Sequence, residues 1–216
     1  PWTLPSNLAL AVNPELDYCE VEETATQEKL VIGKTRLSAY FKTEADYKIL
    51  KEFKGTALEG EEYEPLFAHF KDQSKGKAFR VILGRHVTDS DGTGIVHTAP
   101  AFGEDDFEVA KKYGIELVDP TDHEGKFTSQ VPEFAGLNIK DADKEVIKVL
   151  KSKGLVFKHE TLDHNYPFCW RSDTPLMQKA ISTWFVRLEP IKAKLIANNK
   201  LTHWVPENLR DGRFGN

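Results

Sequence analysis

The stretch Gly92-Thr-Gly-Ile-Val-His-Thr-Ala-Pro-Ala-Phe-Gly-Glu-Asp-Asp106 holds a strand, a turn and a helix start. Strand alternation places Thr93, Ile95 and His97 on one face and Gly94, Val96 and Thr98 on the other. Pro100 and Gly103 end the strand and turn the chain into a helix whose first turn carries Glu104, Asp105 and Asp106. A histidine at a strand end and a carboxylate at the next helix start can share one cleft. Each feature also has a plainer reading. First-turn acids are favoured by the helix dipole alone, a lone histidine at a strand end can be structural, and glycines flanking Thr93 can mark a bulge or close backbone approach.

Outward from this stretch, short β-like runs dominate: Leu8 to Val12, Tyr18 to Val21, Phe79 to Leu83, Gly94 to Thr98, Ile115 to Val118 and Leu155 to Lys158. Four helices are expected between and after them. Thr43 can cap one running through Phe53, with Tyr47, Ile49 and Leu50 inward. Glu104 to Tyr113 follows, with Gly114 just past its end. Asp141 to Lys153 has Val146, Ile147, Val149 and Leu150 inward, lysines outward and Gly154 as its stop. The last runs from about Pro190 to Asn199. Asp89-Ser-Asp-Gly-Thr-Gly94 and Asp122-His-Glu-Gly125 read as turns, and Gln73-Ser-Lys-Gly-Lys77 as an exposed hairpin tip. Strands outnumber helices without the regular strand–helix alternation of a parallel sheet. The expected class is therefore α+β, a β-barrel-like domain with peripheral helices.

Composition bounds the rest. The 216 residues are 40% apolar and 29% charged, with 29 basic against 34 acidic side chains and a net charge of −5, which excludes a disordered chain. The same balance excludes a domain that grips nucleic acid through bulk positive charge. No run of eighteen apolar residues exists, so no membrane span is expected. Two cysteines, Cys19 and Cys169, are too few for a disulfide framework and fit a reducing, cytoplasmic setting. The first residue is Pro1, and Trp2 and Trp204 bring core-type residues close to both ends, so the expectation is one domain, residues 1–216, taken from a longer protein.

Other constellations are weaker. Gly92-Thr-Gly94 lacks the third glycine and the prompt helix of a dinucleotide site, and no P-loop is present. Cys169-Trp-Arg-Ser172 has the spacing of half a zinc knuckle but offers serine at the second position, so no metal is expected. His159 and His164 lie near it in an aromatic stretch suited to packing. Cys19 reads as a small core residue, and no serine elbow offers a covalent nucleophile.

Two phrases, Pro1-Trp-Thr-Leu-Pro-Ser-Asn7 and Gly92 to Asp106 as quoted, resemble the editing-domain (connective peptide 1, CP1) signatures of isoleucyl-tRNA synthetase, a class I aminoacyl-tRNA synthetase. Pro167-Phe-Cys-Trp-Arg-Ser-Asp-Thr-Pro-Leu176 and Ser182-Thr-Trp-Phe-Val186 resemble the same family near the domain's exit. The resemblance covers the chain from end to end. Valyl and leucyl relatives share the Gly-Thr-Gly and Asp-Asp but usually have an Arg-Pro phrase where this chain has Pro1-Trp2. The addition of Ala101-Phe-Gly-Glu104 resembles the eukaryotic cytosolic type.

The resemblance implies hydrolysis of valine wrongly attached to the isoleucine tRNA, and of valyl-adenylate. Asp106 would anchor the substrate ammonium and His97 would lie against its aliphatic side chain. Thr3, Asn7 and Thr93, with Gly94 beside them, would bind substrate or water. The implied partners are the CCA end of the tRNA and the rest of the synthetase chain, in a monomer. No cofactor is implied, because ATP and magnesium belong to the synthetic core, whose signature motifs are absent here. Two alternatives stay open: a valyl- or leucyl-type editor, and an insert that docks the CCA end without hydrolysis. The sequence departs from the family twice, lacking the threonine-rich strand that usually precedes Pro1-Trp-Thr3 and carrying Ser172 where several relatives have a second cysteine.

Overall fold

The computed structural model describes residues 1–72, 76–161 and 165–214. They form two compact units, Pro1–Ala180 and Ile181–Asn216. In chain order the first unit holds β1 Ala9–Val12, β2 Asp17–Glu23, β3 Lys29–Gly33, α1 Leu37–Tyr40, β4 Tyr47–Lys54, β5 Arg80–Leu83, β6 Ile95–Thr98, α2 Glu104–Lys112 and α3 Ile139–Ser152. The second unit holds α4 Lys192–Leu201, entered through a 3-10 turn at Glu189–Ile191.

β1 is the middle strand of one sheet, with β5 parallel on one side and β6 antiparallel on the other. β2 is the middle of a second sheet, with β3 and β4 both antiparallel. The class is mixed α and β, but no closed barrel forms among the described residues: each three-stranded sheet ends at open edges. The turn before β6 links the sheets. Gly33 N–H donates to the Thr93 carbonyl at 2.7 Å, and the buried Tyr18 hydroxyl donates to the Gly94 carbonyl at 2.7 Å. Gly94 has φ +79°, a left-handed conformation that favours glycine, while a Cβ there would meet Gly33 Cα at an ordinary 3.4 Å.

The main core lies between the first sheet and helices α2 and α3. Leu8, Ala9, Ala11 and Ile82 meet Val109 and Ala110 of α2 and Ile139, Ala142, Val146 and Leu150 of α3. Those α3 positions recur at helical spacing, which is why the helix forms against the sheet. It starts two residues earlier than the sequence expectation, because the Asn138 side chain accepts from Lys140 N–H and caps it. A small cluster of Val12, Tyr18 and Val81 lies by the join, and another of Cys19, Val21, Ile32, Leu37 and Phe41 covers the far face of the second sheet.

Three expectations fail. The helix expected from Thr43 to Phe53 is a 3-10 turn, Glu44–Asp46, followed by β4. The capping box is real, with Asp46 accepting from Thr43 N–H at 2.9 Å, but a bulge misled the period. Val21 pairs with Ile49 and Glu20 with Lys51, so Leu50 is an extra residue. That insertion makes Tyr47, Leu50 and Phe53 recur every three residues, as on a helix. Ile115 to Val118 is no strand: Ile115 and Val118 plug the main core from a loop. Leu155 to Lys158 is likewise irregular, with Phe157 packed on Tyr40 and Phe41 at ring separations of 6.0 and 6.4 Å. The hairpin tip expected at 73–77 and His164 lie wholly or partly outside the described residues.

Candidate functional site

The end of β6 is built by two segments far apart in sequence. Residues 3–7 turn back on themselves, with Ser6 N–H on the Thr3 carbonyl and Asn7 N–H on the Leu4 carbonyl, and Pro5 suits the tight 3-10 turn. Leu8 N–H then donates to the Thr98 carbonyl at 2.9 Å, and β1 runs beside β6 with Leu10 opposite His97. This fold-back carries Thr3 onto the histidine: Thr3 Oγ1 lies 3.0 Å from His97 Nε2. Trp2 fixes the approach, its ring edge-on to Phe102 at 4.6 Å and its backbone N–H donating to the Asp143 carboxylate of α3 at 2.8 Å.

Beyond Thr98 the chain turns through Pro100 and Gly103 into α2. Asp106, in the helix's first turn, reaches back so that Oδ2 accepts from Ala99 N–H at 3.0 Å. Asp106 is half-buried, whereas Glu104 and Asp105 are exposed. Only one of the three acids therefore faces the strand end, as a 100° step per residue requires.

His97 has its pKa lowered from the ordinary value because burial penalises the imidazolium, while the Asp106 charge pulls it up. His97 Nδ1, Ser6 Oγ and Thr98 Oγ1 are buried without hydrogen-bond partners. Unsatisfied buried polar atoms are uncommon, and here three fall at one strand end. The arrangement joins an uncharged imidazole, a hydroxyl on one of its nitrogens and a carboxylate with a second oxygen to spare. It can hold a cation and present a stiff wall to an apolar group.

The remaining expected residues fall elsewhere. Asn7 is 6% exposed with both amide atoms engaged: Nδ2 donates to the Ala9 carbonyl at 2.8 Å and Oδ1 accepts from the Tyr63 hydroxyl. Burial pushes that tyrosine's pKa well above its ordinary range. Thr93 and Gly94 sit at the opposite end of β6, tied to the second sheet. Thr93 lines a cleft of ≈ 330 Å³ with Pro1, Leu4, Tyr40, Phe157 and His159, a lining that includes neither His97 nor Asp106. The structure thus brings together Thr3, His97 and Asp106 and leaves Thr93 and Gly94 apart.

Sequence reasoning missed Tyr63, the Ala99 N–H and Lys179. Lys179 pairs with Asp119 at 2.8 Å and donates to the Thr121 carbonyl and hydroxyl and the Asp122 carbonyl. It fastens the segment whose Ala180 N–H donates to the Ala101 carbonyl, behind the Asp106 turn. No local pattern signals any of these. Among the described residues, no group of three or more His, Cys, Asp or Glu side chains is placed to hold a metal. Cys169 lies in a small hairpin closed by its N–H on the Thr174 carbonyl at 2.8 Å. Hydrogen bonds from the Ser172 hydroxyl, then from backbone N–H groups of Ser172 and Arg171, lower its thiol pKa. No helix among the described residues is long and apolar enough to cross a membrane.

No family model matches the chain. Among curated proteins it is 54% identical to an isoleucine–tRNA ligase of Bdellovibrio bacteriovorus, over 100% of this chain and 20% of that protein. It is 47% identical to the cytoplasmic isoleucine–tRNA ligase of Mus musculus, over 100% of this chain and 18% of that one. The similarity therefore extends to bacterial and eukaryotic proteins alike. Among solved structures, the crystal structure of GlLeuRS-CP1 aligns with a TM-score of 0.55 at 15% identity, over 74% of this chain and 81% of that one, a likeness of fold. The chain spans about a fifth of the length of the curated relatives it matches, and it belongs, as that segment, to the isoleucyl-tRNA synthetase family.

Proposed function

We propose that this chain is the editing domain of an isoleucine–tRNA ligase, a single working domain that hydrolyses valine mistakenly esterified to tRNA(Ile). The observation that carries the reading is the meeting of Thr3, His97 and Asp106 at one strand end, in a chain 54% identical to such a ligase. The physical need is general. One methylene in an apolar pocket is worth about 1–3 kcal/mol, a margin for which these synthetases are themselves the reference example, so a second site must remove the smaller product.

In this reading the substrate ammonium pairs with Asp106, whose Oδ1 is free while Oδ2 holds Ala99 N–H. His97, kept neutral by burial and steadied by the Thr3 hydroxyl, stands against the valine side chain and leaves no room for one more methyl. Asn7 braces the turn that carries Thr3, and Thr93 lines a separate cleft with Pro1 and Leu4, the residues on either side of that turn's start. Water adds to the ester carbonyl, the carbon–oxygen bond to the ribose breaks, and the ribose oxygen takes up a proton. An aminoacyl ester is already reactive, so placement can supply the acceleration without a protein nucleophile. The tRNA 3′ end and the rest of the ligase, in the cytoplasm, are the partners this reading needs.

The test is deacylation by the full-length protein across valyl-, isoleucyl-, leucyl- and threonyl-tRNA. Hydrolysis of valyl-tRNA(Ile) with isoleucyl-tRNA(Ile) spared is expected. Hydrolysis of none would favour a docking insert, and a preference for another ester would move the substrate to the valyl or leucyl type.

A further inference from the structure

We propose that Gly103 is a positioning residue for Asp106, required because the carboxylate folds into the space a side chain would occupy. A Cβ at this position would lie 3.0 Å from both Cγ and Oδ2 of Asp106 and 3.3 Å from its Cβ. Those contacts are tighter than a side chain normally tolerates. The backbone itself makes no such demand: Gly103 has φ −143° and ψ 137°, extended values that any residue adopts. Nor does the helix gain from glycine here. Gly103 is the N-cap of α2, where serine, asparagine or aspartate would accept a backbone N–H, and no side-chain cap bond exists.

The protein contains its own comparison. In the box at Thr43, Asp46 at the third helical position accepts from the N-cap's own N–H, three residues back. Asp106 occupies the same third position after Gly103 but bypasses the cap and accepts from Ala99 N–H, seven residues back. Its carboxylate is thus fixed to the strand end beside His97 rather than to its helix. Glycine is what lets it pass.

This inference rests on the reading of Asp106 as the ammonium anchor, and the experiment separates the two. Single-turnover hydrolysis of valyl-tRNA(Ile) by the full-length ligase is measured for Gly103→Ala, Gly103→Ser, Asp106→Ala and the double variant Gly103→Ala/Asp106→Ala, with thermal midpoints and isoleucine charging as fold controls. Displacing the anchor by a fraction of an ångström should slow hydrolysis by about 10- to 100-fold in Gly103→Ala. Gly103→Ser should lose as much while its midpoint holds or rises, since serine is the better cap. In the Asp106→Ala background, Gly103→Ala should cost nothing further, and any fold defect of the single variant should be relieved. Equal losses in both backgrounds, or full activity in both Gly103 variants, would overturn the proposal. Full activity in Asp106→Ala would instead sink the anchor reading on which it stands.

Discussion

Replacing Asp106 by alanine and, separately, by asparagine separates the structural bond its carboxylate makes from the anchoring role proposed for it. Alanine removes both the charge and the acceptor for Ala99 N–H, a bond of 3.0 Å on a residue only 1% exposed. Leaving a buried donor unpaired costs about 1–3 kcal/mol of stability, and losing a first-turn charge adds about 0.3–1 kcal/mol. Asparagine keeps a carbonyl oxygen for Ala99 and should cost less than about 1 kcal/mol, chiefly the dipole contribution. Asp105→Ala, at an exposed neighbouring position, should show the dipole effect alone. Activity should divide the variants differently. A carboxylate paired with a partly desolvated ammonium is worth about 2–5 kcal/mol on truncation. At 1.36 kcal/mol per decade, that is roughly 30- to several-thousand-fold in valyl-tRNA hydrolysis. Both Asp106 variants should lose it, and Asp105→Ala should not. The assay is single-turnover deacylation by the full-length ligase beside urea unfolding of each variant. Asparagine with wild-type hydrolysis would refute the charge as anchor. Alanine no less stable than Asp105→Ala would refute the structural role given to the Ala99 bond.

Lys179→Met removes a partner from Asp119, both side chains being 19% exposed, and should cost about 3 kcal/mol in urea unfolding; a loss under about 0.5 kcal/mol would show the pair to be idle. Gly55→Ala would place a Cβ 2.0 Å from the Asn13 carbonyl oxygen and should destabilise by at least about 2 kcal/mol, so a normal thermal midpoint would contradict the packing of that turn. His97 has a folded pKa below its unfolded value of about 6.5, so its contribution is fully present above that pH and is lost as pH falls through the folded value. His97→Gln should therefore lose less stability than the parent between pH 7 and pH 5, and identical slopes would contradict a buried neutral ring.

Where the sequence was legible, one short stretch carried both the element and its end. β6, the Pro100–Gly103 turn and the acidic start of α2 lie within Gly92 to Asp106, so local rules reached them. The α3 stripe is legible in part: Val146 and Leu150, read as inward, are buried, whereas Ile147 and Val149 are only half-buried and the sequence reading passes over Ile139 and Ala142. β4 was not, because a bulge changes the phase of a strand midway and single-period reading has no place for an extra residue. Ile115 and Val118 are apolar enough for a strand but find no neighbouring edge, and pairing is a tertiary fact. The site divides along the same line. Asp106 and His97 were named from spacing and resemblance, but the Thr3–His97 contact joins residues 94 apart, and Tyr63 reaches Asn7 across 56. The resemblance groups Thr93 and Gly94 with them, whereas the fold sets those two at the other end of β6, with their carbonyls bonded to Gly33 N–H and the Tyr18 hydroxyl.

The Asp106 charge reaches His97, yet among the described residues no ion pair joins the two. An imidazolium beside Asp106 would satisfy the carboxylate and compete with any ammonium for it. Burial disfavours that imidazolium, and the Asp106 charge pulling the other way does not reverse the balance. Thr3 suits a neutral ring, since its hydroxyl can either donate to Nε2 or accept from it. Ala99 supplies Asp106 with a hydrogen bond but no compensating charge. The carboxylate is therefore oriented by a neutral donor, and in the proposed reading the His97 ring is an apolar-sided wall rather than a rival cation.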